Sequence, residues 1–380
     1  MKKAPGFVYT LLIISILACN SSAQQDNNQE SQTLQTSVTT SAIPKTKADK
    51  IKALLQKYHQ QEGFTGAILA AQNDQVVWKG GIGLARRNTN RNNTSQTKFL
   101  VGSVSKQFTS MLILQLVQKG KIKLTDYAIK YLPFLPKEKS KITIHHLLSH
   151  TSGLAHYSGL RPSFYTFQYK TLTPMQYAKI IAKMEMRTAP GTEKYYSSMG
   201  YILLAVIAEK ITGKSYGQLI KERIAQPLGL KNTGFTYHTE KLRDFAMSYM
   251  RRGSKGSFNY EKDKQRNQSN TYSTGGVHST VEDLFTWLKS FKTSRLLNAQ
   301  LRKKMFTPNL DRYAYGWSIN NRLLEKQGIK VSTISHTGSV NDYRAMVTMF
   351  NNQKEMVVIL SNCAPVALRK MCADIYQILK

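Results

Sequence analysis

The stretch Gly102-Ser103-Val104-Ser105-Lys106-Gln107, which leads into an almost unbroken apolar run from Phe108 to Val117, constrains this chain more than any other. Phe108, Met111, Leu112, Ile113, Leu114, Leu116 and Val117 would fall on nearly every side of a helix, so that helix must be packed all round rather than lie on a surface. Gly120 supplies a stop. Ser103 and Lys106, three residues apart, share one face of the first turn, which sets a hydroxyl beside an amine. Burial disfavours the ammonium form, and an amine held partly neutral near physiological pH can take a proton from a neighbouring hydroxyl. Ser103 is therefore a candidate nucleophile.

The spacing alone does not carry that assignment. Ser95-Gln96-Thr97-Lys98 repeats it in a polar stretch with no apolar helix behind it. A serine at the start of a buried helix also serves simply as a cap. The rest of the chain has to decide.

With 380 residues, 41% of them hydrophobic, the chain can bury one large core or two smaller ones. It opens Met1-Lys2-Lys3, continues with an apolar core from Phe7 to Leu17, and then reads Ala18-Cys19-Asn20-Ser21-Ser22-Ala23. A basic start, a short apolar core and small residues describe a secretory signal over residues 1–18, too short to span a bilayer as a mature helix. Export to a bacterial envelope is the expectation. Ile16-Leu17-Ala18-Cys19 resembles a lipoprotein cleavage box, which would leave Cys19 as the lipidated first residue of a membrane-anchored or periplasmic protein; Ser21 to Ala23 offers an ordinary cleavage site instead. Residues 19–47 are rich in Gln, Asn, Ser and Thr and read as a disordered linker.

Lys and Arg number 54 against 22 Asp and Glu, a formal net charge of +32. Such a field draws a protein to anionic envelope surfaces. The basic residues are scattered, as at Lys119, Lys121 and Lys123 and in a loop carrying Arg251, Arg252, Lys255, Lys262, Lys264 and Arg266, with no nucleic-acid module beside them. Nucleic acid is not an expected partner. Cys363 and Cys372, the cysteines left in the mature body, are too few for a disulfide framework, and whether they pair stays open.

A helical pattern from Ala48 is followed by strand-like runs at Gly66 to Ala71 and Gln75 to Gly80, turned at Asn73-Asp74, and by a short run at Phe99 to Val101. Helical signals then dominate, at Thr143 to Leu148, Thr173 to Met184, Ser198 to Ile211, Tyr216 to Ile224 and Thr280 to Phe291. Strands return at Val331 to Ser335, Tyr343 to Phe350 and Glu355 to Ser361 before a last helix, Val366 to Leu379. The order predicts an α+β fold in which an antiparallel sheet is flanked by terminal helices (48–102 and about 292–380) and joined to a largely helical part (103–291). A cleft is expected at the junction, where Ser103 lies.

Two other motif matches carry less. Gly213-Lys214-Ser215-Tyr216-Gly217 fits the nucleophile-elbow string but follows a helix where that motif needs a strand, so a helix stop and a capping serine explain it. His146 and His150 have zinc-ligand spacing, yet Leu147 stands where the metalloprotease motif needs glutamate, and structural histidines are the better reading.

Ser103-Val104-Ser105-Lys106, then Tyr196-Ser197-Ser198, then His336-Thr337-Gly338, in that order, resemble the three motifs of the serine β-lactamase and penicillin-binding protein superfamily, in its class C β-lactamase and D-Ala-D-Ala carboxypeptidase branch. Ile142 to Leu154, Pro227-Leu228-Gly229-Leu230 and Gly275 to Thr280 are similar to that branch as well, so the resemblance covers Ala48 to Lys380. It implies a β-lactamase/transpeptidase-like fold and an acyl-enzyme formed on Ser103. Lys106 and Tyr196 would move its proton, and the backbone N–H groups of Ser103 and Ser339 would form the oxyanion hole. Ser198, His336, Thr337 and Gly338 would hold the substrate, and neither metal nor organic cofactor is implied.

Two residues depart from the pattern. Ser198 replaces the usual asparagine whose amide grips the substrate's amide, and His336 replaces lysine. An unperturbed imidazole titrates near pH 6.5, so catalysis is expected to vary with pH around His336. The implied function is hydrolysis of an amide or ester, a cell-wall peptide or a β-lactam. The alternatives are an esterase of the same fold and a non-catalytic envelope-binding protein that keeps the scaffold, and the oligomeric state stays open.

Overall fold

The computed structural model describes residues 46–157, 169–254, 257–262 and 267–380. The stretches expected to be a secretory signal and a linker, up to residue 45 and including Cys19, and the basic residues Lys255, Lys264 and Arg266 lie outside them. The described residues belong to the unit Pro44–Lys380.

Thr46 starts the first helix, α1 (Lys47–Glu62), by a capping box with Asp49, and Gly63 ends it in the left-handed conformation at φ 62°. The strands needed below are β1 (Gly66–Gln72), β2 (Gln75–Ile82), β3 (Phe99–Leu100), β4 (Gly234–Phe235), β5 (Val277–Ser279), β6 (Ser318–Ile319), β7 (Thr333–Val340), β8 (Tyr343–Phe350) and β9 (Glu355–Ser361). Six of them form one antiparallel sheet in the order β6-β7-β8-β9-β1-β2, and β3, β5 and β4 form a small second sheet. Asn73 and Asp74, at φ 49° and 65°, close the β1–β2 hairpin at the turn expected from the sequence.

Side-chain alternation sorts the large sheet onto two cores. Ala67, Leu69, Ala71, Ala345, Val347, Met349, Val358 and Leu360 face one, while Ile68, Ala70, Met346, Phe350, Val357 and Ile359 face the other. The second is covered by Ile51, Leu55 and Tyr58 of α1 and by Met371, Cys372, Ile375 and Leu379 of the last helix, Leu368–Leu379. Both faces of these strands are buried, so their sequences read as near-continuous apolar runs. The two cysteines are buried and unpaired.

The first core is built around α2 (Ser105–Gln118), buried along nearly its whole length. Its polar residues tie it to its surroundings. Ser105 accepts the Val277 N–H at 3.1 Å, Gln107 accepts the Trp287 indole N–H at 3.0 Å, and Thr109 donates to the Ser273 carbonyl at 2.9 Å. Phe108 stacks on Trp287 with ring centroids 4.5 Å apart. Around α2 lie α3 (Ile144–Ser149), α4 (Pro174–Ala182), α5 (Ser198–Thr212) and α6 (Val281–Ser290); the closing helix Leu368–Leu379 is α7. Gly213 ends α5 in the left-handed conformation and Ser215 caps the short helix Tyr216–Ile220, so the elbow-like string is a helix junction.

Two elements differ from the expectation. β7 continues through His336, Thr337, Gly338 and Ser339 instead of stopping at Ser335, because every residue to Val340 is paired with β8. Small polar residues and a glycine disguise that strand as a turn. The stretch read as a basic loop contains a hairpin, Tyr249–Ser254 with Ser257–Lys262. Its faces are made of basic and aromatic side chains, such as Tyr260 with the Arg87 guanidinium 3.5 Å from its ring centre, and so lack aliphatic alternation.

Candidate active site

Backbone contact brings the nucleophile segment to the sheet. Gly102 lies at φ 52°, and a Cβ there would stand 2.4 Å from the Ser339 nitrogen; a Cβ on Gly338 would stand 1.9 Å from the Val101 carbonyl oxygen. Only glycine fits at either place. β6 covers β7 only at Ile334 and Ser335, which leaves the Thr337–Val340 edge for the segment carrying Ser103. Ser103 itself sits in a single 3-10 turn, Gly102–Val104, just ahead of α2.

Below it, the Lys106 Nζ is 3.0 Å from the Ser103 Oγ and donates to the Thr274 carbonyl at 3.0 Å. Lys106 has no exposed surface and no ion-pair partner among the described residues. Burial alone pulls the amine down to about 7, so near neutral pH roughly half of the molecules hold it uncharged. It also lies 5.0 Å from the Tyr196 ring centre.

Tyr196 is the third member. Burial raises its phenol, with a hydrogen bond to Ser103 acting in the opposite direction, so the group stays protonated at neutral pH. Two imidazoles bracket it. The Ser197 N–H donates to the His150 Nδ1 at 3.2 Å, and the Ser198 N–H donates to the His156 Nδ1 at 3.1 Å. A ring nitrogen that accepts carries no proton, so both rings have theirs on Nε2. His150 packs on Tyr196 with centroids 4.2 Å apart and His156 meets it edge-on at 5.7 Å. Burial keeps both neutral: His156 falls to about 4 and His150 lies well below its ordinary value.

His336 lies 6.4 Å from Tyr196, centroid to centroid. Its Nδ1 is 2.6 Å from the Thr337 carbonyl, which can only accept, so Nδ1 donates. Its Nε2 is 3.1 Å from the Tyr313 hydroxyl and accepts that proton. Burial, with the Lys106 charge adding to it, lowers the ring to about 3. The expectation that His336 titrates near neutrality therefore fails: the imidazole is neutral, and both of its nitrogens are engaged. In this state it carries no charge to offer a substrate carboxylate.

Ser103, Tyr196, His336, Thr337, Gly338 and Ser339 line one cleft of about 1030 Å³. Ser198 is not in that lining; it is buried at the start of α5, with its backbone N–H on His156. The substrate-binding role expected of its hydroxyl thus has no support in the placement. A second cavity of about 710 Å³, between Phe134, Lys139, Met184 and Met186, is lined by no hydroxyl or thiol. Sequence reasoning did not single out His156, Tyr313 or the Thr274 carbonyl. His150 stood inside a recognised stretch, but its link to Ser197 depends on α3 ending beside α5, which no local pattern encodes.

Residues 51–377 match the Beta-lactamase family model. The Bacillus subtilis penicillin-binding protein 4* is 26% identical over 337 residues, 83% of this chain and 72% of that one. The teichoic acid D-alanine hydrolase of Staphylococcus aureus is 26% identical over 313 residues, covering 81% and 72% of the two chains. Among solved structures, the octameric penicillin-binding protein homologue from Pyrococcus abyssi is similar with a TM-score of 0.71 at 26% identity, over 85% of this chain and 76% of that one. The D-amino acid amidase of Ochrobactrum anthropi has the same fold, with a TM-score of 0.75 at 18% identity over 87% and 98% of the two chains.

Proposed function

The chain belongs to the β-lactamase family, and on that premise we propose that it is an exported serine hydrolase that cleaves an amide or ester through an acyl-enzyme on Ser103. The observation that carries this reading is the Ser103 hydroxyl 3.0 Å from a buried amine held at about 7. The neutral Lys106 amine takes the Ser103 proton as Oγ attacks the carbonyl carbon. The Ser103 and Ser339 N–H groups receive the developing oxyanion, each donor of this kind contributing on the order of 10² to 10³ in rate. Tyr196, protonated in the resting enzyme, hands its proton to the leaving nitrogen or oxygen and is reprotonated from Lys106. Water then attacks the acyl group by the same relay run in reverse, which frees Ser103.

A D-alanyl cell-wall peptide or a β-lactam is the substrate this reading favours, supported by the relative named as a penicillin-binding protein. A D-alanyl ester is the second reading. Ser198, absent from the cleft lining, offers no amide grip, and a relative is named as a teichoic acid D-alanine hydrolase. Attachment to the envelope through a lipidated Cys19, and attraction of the basic body to anionic envelope polymers, belong to the same proposal. No helix among the described residues is long and apolar enough to cross a membrane.

Turnover of nitrocefin, a D-Ala-D-Ala peptide and p-nitrophenyl acetate, measured side by side on wild type and Ser103→Ala, tests the reading. At least one substrate should be cleaved by wild type and by none of the Ser103→Ala samples. No turnover together with no fluorophosphonate labelling would leave the non-catalytic envelope-binding alternative.

A further inference from the structure

The cavity of about 710 Å³ in the helical part shares no lining residue with the cleft that holds Ser103. Its apolar walls are Phe134, Pro136, Ala182, Met184 and Met186, and Lys139 stands among them. A space of this size takes a small organic ligand, and methionines let its walls adapt to one. Lys139 closes the single turn Lys137–Lys139, and Met184 follows α4 in a turn whose N–H bonds back to the Ile181 carbonyl. Met186 pairs with Leu154 as an isolated β-bridge, which holds that wall in place.

Lys139 is only 4% exposed. Its Nζ donates to the Met184 carbonyl at 2.6 Å, and it has no ion pair among the described residues. An ammonium carries three N–H donors, so two are left without an acceptor from those residues. Burial lowers this amine, while the exposed Glu138 acts in the opposite direction without pairing with it. A buried ammonium that lacks a counter-ion costs free energy, and a carboxylate set beside it would recover that cost. The exposed lining charges cancel, Lys179 and Lys183 standing against Glu138 and Glu185. One positive charge inside an apolar space remains. That matches a monoanion with an apolar tail better than a dianionic phosphate, which the two rim carboxylates would repel.

We propose that this cavity is a second binding site, for an aliphatic monocarboxylate whose head meets the Lys139 Nζ and whose chain lies against Phe134, Met184 and Met186. The site is independent of the serine-hydrolase reading and stands whether or not Ser103 is acylated.

Calorimetric titration of the full chain with decanoate, octanoate and neutral decanol, each below its micelle or solubility limit, tests it. Wild type should bind decanoate roughly 10- to 100-fold more tightly than decanol, as a charge-assisted contact implies. Octanoate, two methylenes shorter, should bind roughly tenfold more weakly than decanoate. K139Q keeps a donor for the Met184 carbonyl but not the charge, so the preference for decanoate over decanol should vanish while decanol still binds. M186E sets a carboxylate at a half-buried wall position and should remove decanoate binding. Thermal unfolding shows whether each variant is folded, and should K139Q fail to fold, M186E decides. Wild type that binds no decanoate, or binds it no tighter than decanol, overturns the proposal. So does a decanoate affinity that either folded variant leaves where it was, since the ligand would then sit elsewhere, the basic cleft included.

Discussion

Carrying an ester-hydrolysis assay from about pH 5 to about pH 10 tests which group acts as the base. Lys106 is drawn from an ordinary value of 10.5 to about 7 because it is fully buried with no ion-pair partner among the described residues. At pH 7 the uncharged fraction therefore rises from roughly 1 in 3,000 to about one half. The three imidazoles around the site do not compete for this signal, since burial keeps His156 at about 4, His336 at about 3 and His150 well below its ordinary value. Tyr196 is shifted upward, away from the range. With p-nitrophenyl acetate, kcat/KM should therefore climb about tenfold per pH unit below about 7 and level off above it. The same profile should appear in His336→Asn. A rate still climbing tenfold per unit beyond pH 9 would mean an ordinary lysine, and a midpoint that vanishes in His336→Asn would return the titration to the imidazole. Either result refutes the reasoning.

Other expectations follow from the same geometry. The folded value of Lys106 lies below its unfolded one, so between about pH 7 and 10.5 the unfolded chain binds more protons, and the destabilisation is full below about 7 and fades as pH rises. Lys106→Met should thus be more stable than wild type by on the order of 5 kcal/mol below pH 7 and by progressively less above it; urea unfolding at several pH values checks this, and a pH-independent difference contradicts it. Gly338→Ala would put a Cβ 1.9 Å from the Val101 carbonyl oxygen, so it should cost about 3 kcal/mol in thermal unfolding and most of the activity. His150→Phe keeps the ring against Tyr196 but strands the Ser197 N–H, so a fall of about tenfold in kcat is expected, and normal kinetics would remove His150 from the positioning of Tyr196.

What could be read from the sequence was whatever local pattern encodes. The apolar circumference of Phe108 to Val117 placed α2 at the centre, and the apolar runs around Ile68, Val347 and Val358 gave the inner strands because both of their faces are buried. Ser103, Lys106, Tyr196 and His336 were legible as an ordered set, and the fold brings them to one place. Their chemistry was less legible. The charge state of His336 depends on Tyr313, Thr337 and the burial around them, which are facts of topology. Ser198 occupies a binding position in the sequence pattern, yet it is buried at the start of α5 and is not among the residues lining the cleft. The hairpin Tyr249–Ser254 and Ser257–Lys262 escaped notice because basic and aromatic side chains cover it, and hydropathy periodicity does not register them.

Quenching the protein during turnover of a slow substrate, then measuring its intact mass and mapping the adduct by peptide sequencing, examines the covalent step itself. The account predicts a mass increase equal to the acyl group, located on Ser103 and missing from Ser103→Ala. Hydrolysis that persists in Ser103→Ala, or an acyl group found on another residue, would contradict it.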